Sequence, residues 1–299
     1  MTPLAQHDEK TVTSCDLKLE MAQIEAFKES DTSFELEIEA RVIDTIKKYK
    51  LIEKDEKIVA AVSGGKDSTV LLYILKKYGY DVVAATVDAH IGCYTKENLQ
   101  RIRQVCKVLD VPLHEISFRD HFGKSLCYIR SVLNSKGYKY KSCNICGVLR
   151  RYLLNTKCRE LNAAKIATGH NMDDEAQVVL MNMLRGNNSV NARLGPKPGI
   201  VKDKKFIPRI KPLYFVSEDE VIKYSKLKGF PVYYGHCPCS LDSYRFSIKS
   251  MLNELGLSKE NFIKNYLNIV DDFKKYYSKD TALDYCGICS EPCRGKTCN

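Results

Sequence analysis

Six residues, Ser63-Gly64-Gly65-Lys66-Asp67-Ser68, follow directly on the apolar run Ile58-Val59-Ala60-Ala61-Val62. A buried strand here delivers a glycine pair into a tight turn, and residues 69–75 continue as a helix. Backbone N–H groups at that helix start, the Lys66 ammonium and the Ser63 and Ser68 hydroxyls make a cradle for phosphate oxygens. A Walker-type loop has more residues between its glycine and its lysine, so this is a different phosphate loop. A strand–turn–helix without a ligand would have no use for serines, lysine and aspartate packed this closely. The segment predicts a site for a phosphate-bearing ligand.

Thirteen cysteines carry the second set of chemical possibilities. Cys15, Cys93, Cys106, Cys127 and Cys158 are scattered and read mostly as small core residues. Cys143-Asn144-Ile145-Cys146 stands ahead of a basic helix containing Arg150 and Arg151, and His236-Cys237-Pro238-Cys239 offers further thiolates. Three cysteines do not close a tetrahedral zinc site without a fourth ligand, whereas they can hold a 4Fe–4S cluster with one iron left open. From spacing alone, zinc, cluster and redox readings of the C-x-x-C pair stand level. Cys286, Cys289, Cys293 and Cys298 read as a compact four-thiolate zinc knuckle whose metal supplies folding energy.

These residues must be positioned by something, and the chain is long enough for one substantial core with a small appendage. No apolar stretch approaches a membrane span, the N-terminus is too polar for a secretion signal, and a cytoplasmic location is expected. Lys and Arg number 47 against 37 Asp and Glu, a net charge of +10. The excess is concentrated: residues 124–165 and 185–211 hold almost no acids, with Tyr128, Tyr138, Tyr140 and Tyr152 interleaved. Such segments suit a polyanion, although charge alone fits a solvated surface as well.

Apolar runs at 57–62, 82–87, 113–118 and 165–168 alternate with helical periodicity at 36–49, 95–109 (Thr95 as N-cap), 121–133, 145–161 and 173–184. Alternation of this kind indicates a parallel sheet covered on both faces, with ligands at the strand C-terminal ends. The phosphate loop, Asp88 and Gly169 all fall at such ends and predict one nucleotide site. Residues 186–211 read as a loop, and helices are expected at 217–228, 241–255 and 259–277. The resulting plan is a polar, partly helical leader (1–36), an α/β nucleotide domain (37–215), a helical extension (216–280) and the knuckle (281–299).

The phosphate loop resembles the PP-loop of ATP pyrophosphatases, which leave AMP on a substrate. The stretch Ile166-Ala167-Thr168-Gly169-His170-Asn171-Met172-Asp173-Asp174-Glu175-Ala176-Gln177 and its continuation to Arg193-Leu194-Gly195-Pro196 resemble the tRNA 2-thiouridine synthetases. The Cys143-x-x-Cys146-Gly-Val-x-Arg-Arg segment and Cys237-Pro238 match that family in the same order, over roughly residues 36–255. The resemblance implies an adenine nucleotide α-hydrolase-like fold and an ATP-dependent uridine 2-sulfurtransferase. ATP would lie against Ala61, Ser63, Gly64, Gly65, Lys66, Asp67, Ser68, Val87, Asp88 and Gly169. Cys143, Cys146 and Cys237 would hold the cluster, with Cys239 two residues on. Asp174 matches the family's catalytic acid position, Lys66 its phosphate lysine, and Arg150 a basic residue near the cluster. Magnesium, tRNA, sulfide or a thiocarboxylated ubiquitin-like sulfur carrier, and a homodimer are implied partners. His90 and His170, at strand ends, are expected to be hydrogen-bonding wall residues.

Two other readings exist: a tRNA 2-thiocytidine synthetase, against which the Gly-His-Asn-x-Asp-Asp form argues, and a zinc-stabilised RNA-binding protein with a vestigial ATP loop. Intact Ser63, Lys66, Asp67 and Ser68 count against the latter.

Overall fold

Ile58-Val59-Ala60-Ala61 forms β1, the central strand of a five-stranded sheet. The computed structural model describes residues 27–28, 32–199, 203–240, 244–277, 284–293 and 296. β1 lies between β2 (Val82–Asp88) and β4 (Lys165–Thr168), with β3 (Leu113–Ser117) and β5 (Arg209–Ile210) at the edges. Every pairing is parallel. β5 falls inside the segment expected to be loop, because two residues between Pro208 and Lys211-Pro212 give no periodicity to read.

Alternate strand residues serve opposite faces. Ile58, Ala60, Val82, Ala84, Ala167 and Ile210 join the core beneath α1 (Ser33–Lys48), α2 (Lys66–Lys77), α3 (Gly92–Val108) and α9 (Glu218–Leu227). Val59, Ala85 and Ile166 face Cys158 and Leu154 of α6 (Ser142–Glu160). Small residues meet in register at the centre, Ala60 beside Ala84 and Ala167, Ala61 beside Ala85. Their lack of bulk leaves room at the strand ends.

Several helix boundaries differ from expectation. The helix predicted at 121–133 is two, α4 (Phe118–Phe122) and α5 (Leu126–Ser135), because Gly123 adopts φ 69° and Ser125 starts a new cap. α3 begins three residues early; Thr95 sits inside its first turn and its hydroxyl accepts the Ile91 N–H at 3.1 Å. α6 starts at Ser142, so Cys143 and Cys146 lie on the helix rather than ahead of it.

Two acidic residues before the phosphate loop take part in packing the helices. Glu35 and Glu39 of α1 are buried, paired with Lys228 at 3.3 Å and Lys77 at 2.8 Å, and Tyr224 Oη donates to Glu39. These pairs tie α1 to α2 and α9. Further helices, α7 (Met172–Leu184), α10 (Tyr244–Glu254) and α11 (Lys259–Tyr277), share a second core that includes Tyr214, Ile248, Ile263 and Tyr266, whose hydroxyl donates to Asn191 O of α8 (Asn188–Asn191) at 2.6 Å. Strands β6 (Asp284–Tyr285) and β7 (Pro292–Cys293) pair antiparallel at the cysteine-rich end. Cys15, Cys298 and the predicted helix start at 241–243 lie outside the described residues. Among the described residues no helix is long and apolar enough to cross a membrane.

Candidate active site

The sheet order places β1 and β4 at the point where connections diverge, the position where open α/β sheets bind ligands. From β1 the chain turns through Ser63-Gly64-Gly65 into α2, whose N-terminus has no side-chain cap. Gly64 has φ +80°, and a Cβ there would stand 2.8 Å from Asn98 Cβ and 2.9 Å from Asn98 O. The loop is held from within. Ser68 Oγ accepts the Ser63 N–H at 3.1 Å and lies 3.2 Å from Gly65 O, to which it donates. Gly169, after β4, presses on the same turn: a Cβ at this glycine would lie 2.8 Å from both Asp67 C and Ser68 N. That close approach is the physical reason for glycine in the Thr168-Gly169-His170 segment.

Lys66 Nζ is held between Asp67 Oδ2 at 3.1 Å and Glu218 Oε1 at 3.2 Å. Burial works against its charge, but the two carboxylates outweigh it and raise the Lys66 pKa. Asp67 is pushed up by burial and by the like charge of Asp174, against the pull of Lys66. Asn171 joins the two acids. Its Nδ2 donates to Asp67 Oδ1 at 2.8 Å, and its Oδ1 accepts the Asp174 N–H at 3.0 Å as the N-cap of α7. Arg245 of α10 donates to Asp174 Oδ1 at 2.7 Å.

The neighbouring Asp173 is committed elsewhere. It is buried, accepts the Glu218 N–H at 2.8 Å and pairs with Lys259. Both histidines are hydrogen-bonded at their strand ends: His90 bonds Ser117 Oγ at 2.9 Å and its backbone N–H donates to Asp88, while His170 bonds Thr168 Oγ1 at 2.9 Å.

A cavity of about 120 Å³ opens at the ends of β1 and β2. Predicted residues Ala61, Ser63, Val87, Asp88 and Arg150 line it, as does Asn98. Two lining atoms, Arg150 Nε and Asn98 Oδ1, are buried without a hydrogen-bond partner. A buried donor and acceptor left open at a cavity wall are what a polar ligand would satisfy.

Arg150 and Leu154, one helical turn apart on α6, both face this cavity, and Cys146 lies one turn before Arg150. A rise of about 6 Å separates successive positions of this stripe. Burial pushes the Cys146 thiol up, opposed by the Arg150 charge; burial and the Cys239 thiol push Cys143 up. Cys143 Sγ donates to Cys239 O at 3.2 Å, and the free Cys237 and Cys239 thiols share a side-chain hydrogen bond. Cys146, Cys237 and Cys239 pack against one apolar cluster with Val87, Ile91 and Phe118. Cys127 of α5 also acts on Cys239, so this thiol, read from sequence as core, is exposed beside the group.

Among the described residues no three His, Cys, Asp or Glu side chains close around a single metal ion. Cys143, Cys146 and Cys237 are soft thiolate donors, a chemistry that fits an iron–sulfur cluster.

At the cysteine-rich end, Cys286 Sγ accepts the Ile288 N–H at 3.4 Å, and Cys293 lies in electrostatic range of Cys286 and Cys289. This unit is docked by a two-bond ion pair from Arg159 to Glu291, at 2.6 and 3.1 Å.

Sequence reasoning missed Glu218, Arg245 and Asn98. Glu218 and Arg245 reach the site across 152 and 71 residues. Asn98 carries a local clue, as a polar residue on the buried face of α3 that continues with Ile102, Val105 and Cys106.

The PP-loop domain family matches residues 34–234. The tRNA-5-methyluridine(54) 2-sulfurtransferase of Pyrococcus horikoshii is 34% identical over 264 residues, 87% of this chain and 82% of that protein. Cytoplasmic tRNA 2-thiolation protein 1 of Drosophila mojavensis is 32% identical over 272 residues, covering 86% and 77% respectively. Among solved structures, the U34-tRNA thiolase NcsA of Methanococcus maripaludis with its 4Fe–4S cluster superposes with a TM-score of 0.69 at 28% identity, over 86% of this chain and 82% of that one. The chain belongs to the PP-loop family of tRNA 2-thiolation sulfurtransferases, ATP-binding enzymes that transfer sulfur.

Proposed function

We propose that the chain converts a tRNA uridine to 2-thiouridine by adenylating the C2 oxygen and replacing it with sulfur. One observation carries this reading: α6 presents Cys146 one turn from Arg150, and Arg150 shares a cavity with Ser63 and Asp88. Thiol chemistry and nucleotide chemistry are thereby one helix stripe apart.

The uracil C2 carbonyl is a poor electrophile, and its oxygen leaves only once it is esterified. In this reading that oxygen attacks the ATP α-phosphorus and pyrophosphate departs. Ser63, Ser68, the α2 N–H groups and Lys66 take up the negative charge of the phosphates. Asp67 and Asp174 repel one another. A Mg²⁺ ion would relieve that repulsion, and Mg²⁺ sites of this kind use one or two carboxylates with substrate phosphates. Asp174 then serves as general acid/base or Mg²⁺ ligand, positioned by Asn171 and Arg245. Arg150 Nε, buried and open, donates to an anionic oxygen.

Cys143, Cys146 and Cys237 would hold a 4Fe–4S cluster, which would supply a Lewis-acidic iron for the incoming sulfur that replaces the C2 oxygen. AMP leaves with the original oxygen. Sulfur arrives as sulfide or from a thiocarboxylated ubiquitin-like carrier, and a homodimer belongs to the same proposal. Cys286, Cys289, Cys293 and Cys298 supply a donor set for zinc that would stabilise the C-terminal end. The domain plan is retained: nucleotide domain 37–215, helical extension 216–280 with α9 packed back on α2, and knuckle 281–299.

Anaerobic reconstitution tests the reading. A brown protein that releases AMP and pyrophosphate and thiolates a uridine in tRNA supports it. A colourless, zinc-only protein that consumes no ATP refutes it.

A further inference from the structure

Residues 121–159 contain nine Lys and Arg and no Asp or Glu. Within this acid-free stretch Tyr128, Tyr138 and Tyr140 are 51%, 52% and 52% exposed. Tyrosines this open on a basic surface are not serving the core. The Tyr138 and Tyr140 rings lie parallel, with centroids 6.0 Å apart and planes within 7°. They stand two residues apart in the irregular segment between α5 and α6, with the exposed Lys139 between them and Lys136 before them. The Lys124 ammonium sits 4.8 Å from the centroid of the Tyr128 ring. Arg130, exposed on α5, lies within electrostatic range of Cys239.

We propose that Tyr138 and Tyr140, with Lys136 and Lys139 beside them in the chain, form a stacking platform for unpaired bases of the RNA substrate near the α6 cysteines. The inference rests on the sulfurtransferase reading and adds where the RNA lies. Aromatic faces accept a base of any identity, and neighbouring cations follow the phosphates. A uridine whose C2 is to react must leave its stack, and its neighbours then need a substitute surface. The platform is placed for that task. Tyr140 precedes Cys143 by three residues, a chain reach of no more than about 11 Å. A protein partner would also meet tyrosines here, but an acid-free basic surround matches a phosphate backbone better than a mixed-charge protein face.

Binding of unmodified tRNA to the full chain, followed by fluorescence anisotropy at fixed salt, tests this. The double variant Tyr138→Ala/Tyr140→Ala is expected to raise the tRNA Kd by about 10-fold or more, since one stacked base is worth roughly 5- to 150-fold. Tyr138→Phe/Tyr140→Phe keeps the rings and is expected to stay within about 2-fold of the parent. ATP affinity should be unchanged in both, which also shows that the variants fold. Lys139→Gln should lower the salt slope of tRNA binding by about one. Wild-type tRNA affinity in the double alanine variant would overturn the platform, as would equal losses in the alanine and phenylalanine pairs. Loss of sulfur-carrier binding with tRNA binding intact would overturn it in favour of a protein surface. A parent protein that binds ATP but no tRNA would instead take down the sulfurtransferase reading itself.

Discussion

Replacing Gly169 by alanine is expected to damage ATP binding although Gly169 carries no side chain to lose. The new Cβ would stand 2.8 Å from Asp67 C and Ser68 N and 3.0 Å from Asp67 O. Carbon contacts settle near about 3.5–4.0 Å, so the first turn of α2 must move by roughly half an ångström or more. No rotamer change relieves this, because the opposing atoms are backbone. Overpacking of this kind costs about 1–3 kcal/mol, which is about 5- to 150-fold if it falls on the nucleotide-bound state. Gly64→Ala adds a left-handed backbone penalty of about 1–2 kcal/mol to its own collision with Asn98. Gly65→Ala is the discriminating partner. At Gly65 φ is −88° and the nearest atom to a new Cβ is Ser63 Oγ at 3.6 Å. The unliganded protein should therefore tolerate the substitution, with a Tm near the parent's, while phosphate approach to the loop is obstructed. Isothermal titration with ATP, paired with thermal melts without nucleotide, reads both quantities. Parental ATP affinity in Gly169→Ala and Gly65→Ala alike would refute the placement of phosphates on this loop.

Adjacent carboxylates should separate cleanly. Asp173→Asn removes the buried negative charge paired with Lys259 and turns one of the two acceptor oxygens, which serve Lys259 and the Glu218 N–H, into a donor, so stability should fall by about 1.5–3 kcal/mol in denaturant titration. Asp174→Asn should leave stability nearly unaltered and cut thiolation about 100-fold or more; the reverse pattern would exchange their roles. Arg245→Ala breaks a half-exposed pair worth less than about 1 kcal/mol to the fold, yet single-turnover thiolation should drop about 10-fold with ATP affinity unchanged. Unchanged turnover would mean that Asp174 acts without it. Cys143→Ala, Cys146→Ala and Cys237→Ala should each lose iron on anaerobic reconstitution while keeping ATP affinity within about 3-fold. Cys239→Ala should retain iron, and iron loss confined to Cys239→Ala would exchange the third ligand.

What the sequence reveals of this protein divides by range. The β1–loop–α2 unit is legible because every contact it needs lies within a dozen residues, and the small residues at the sheet centre are written in the same stretch. Gly169 could be placed at a strand end, but the reason for it, contact with the first turn of α2, appears only when two strands pair. The buried pairing of Glu35 and Glu39 is not legible along the chain because their partners Lys228 and Lys77 are remote. Asp173 and Asp174 are indistinguishable along the chain; one faces Lys259, the other Arg245. The break at Gly123 was readable from a glycine followed by a Ser cap, and apolar periodicity on both sides concealed it.

The fate of a single oxygen atom tests the account most directly. With tRNA carrying heavy oxygen at uracil O2, anaerobic turnover with ATP and sulfide should place the label in AMP, one atom for each thiocarbonyl formed. Label released to water or found in pyrophosphate would contradict adenylation of that oxygen, whatever cofactor the cysteines hold.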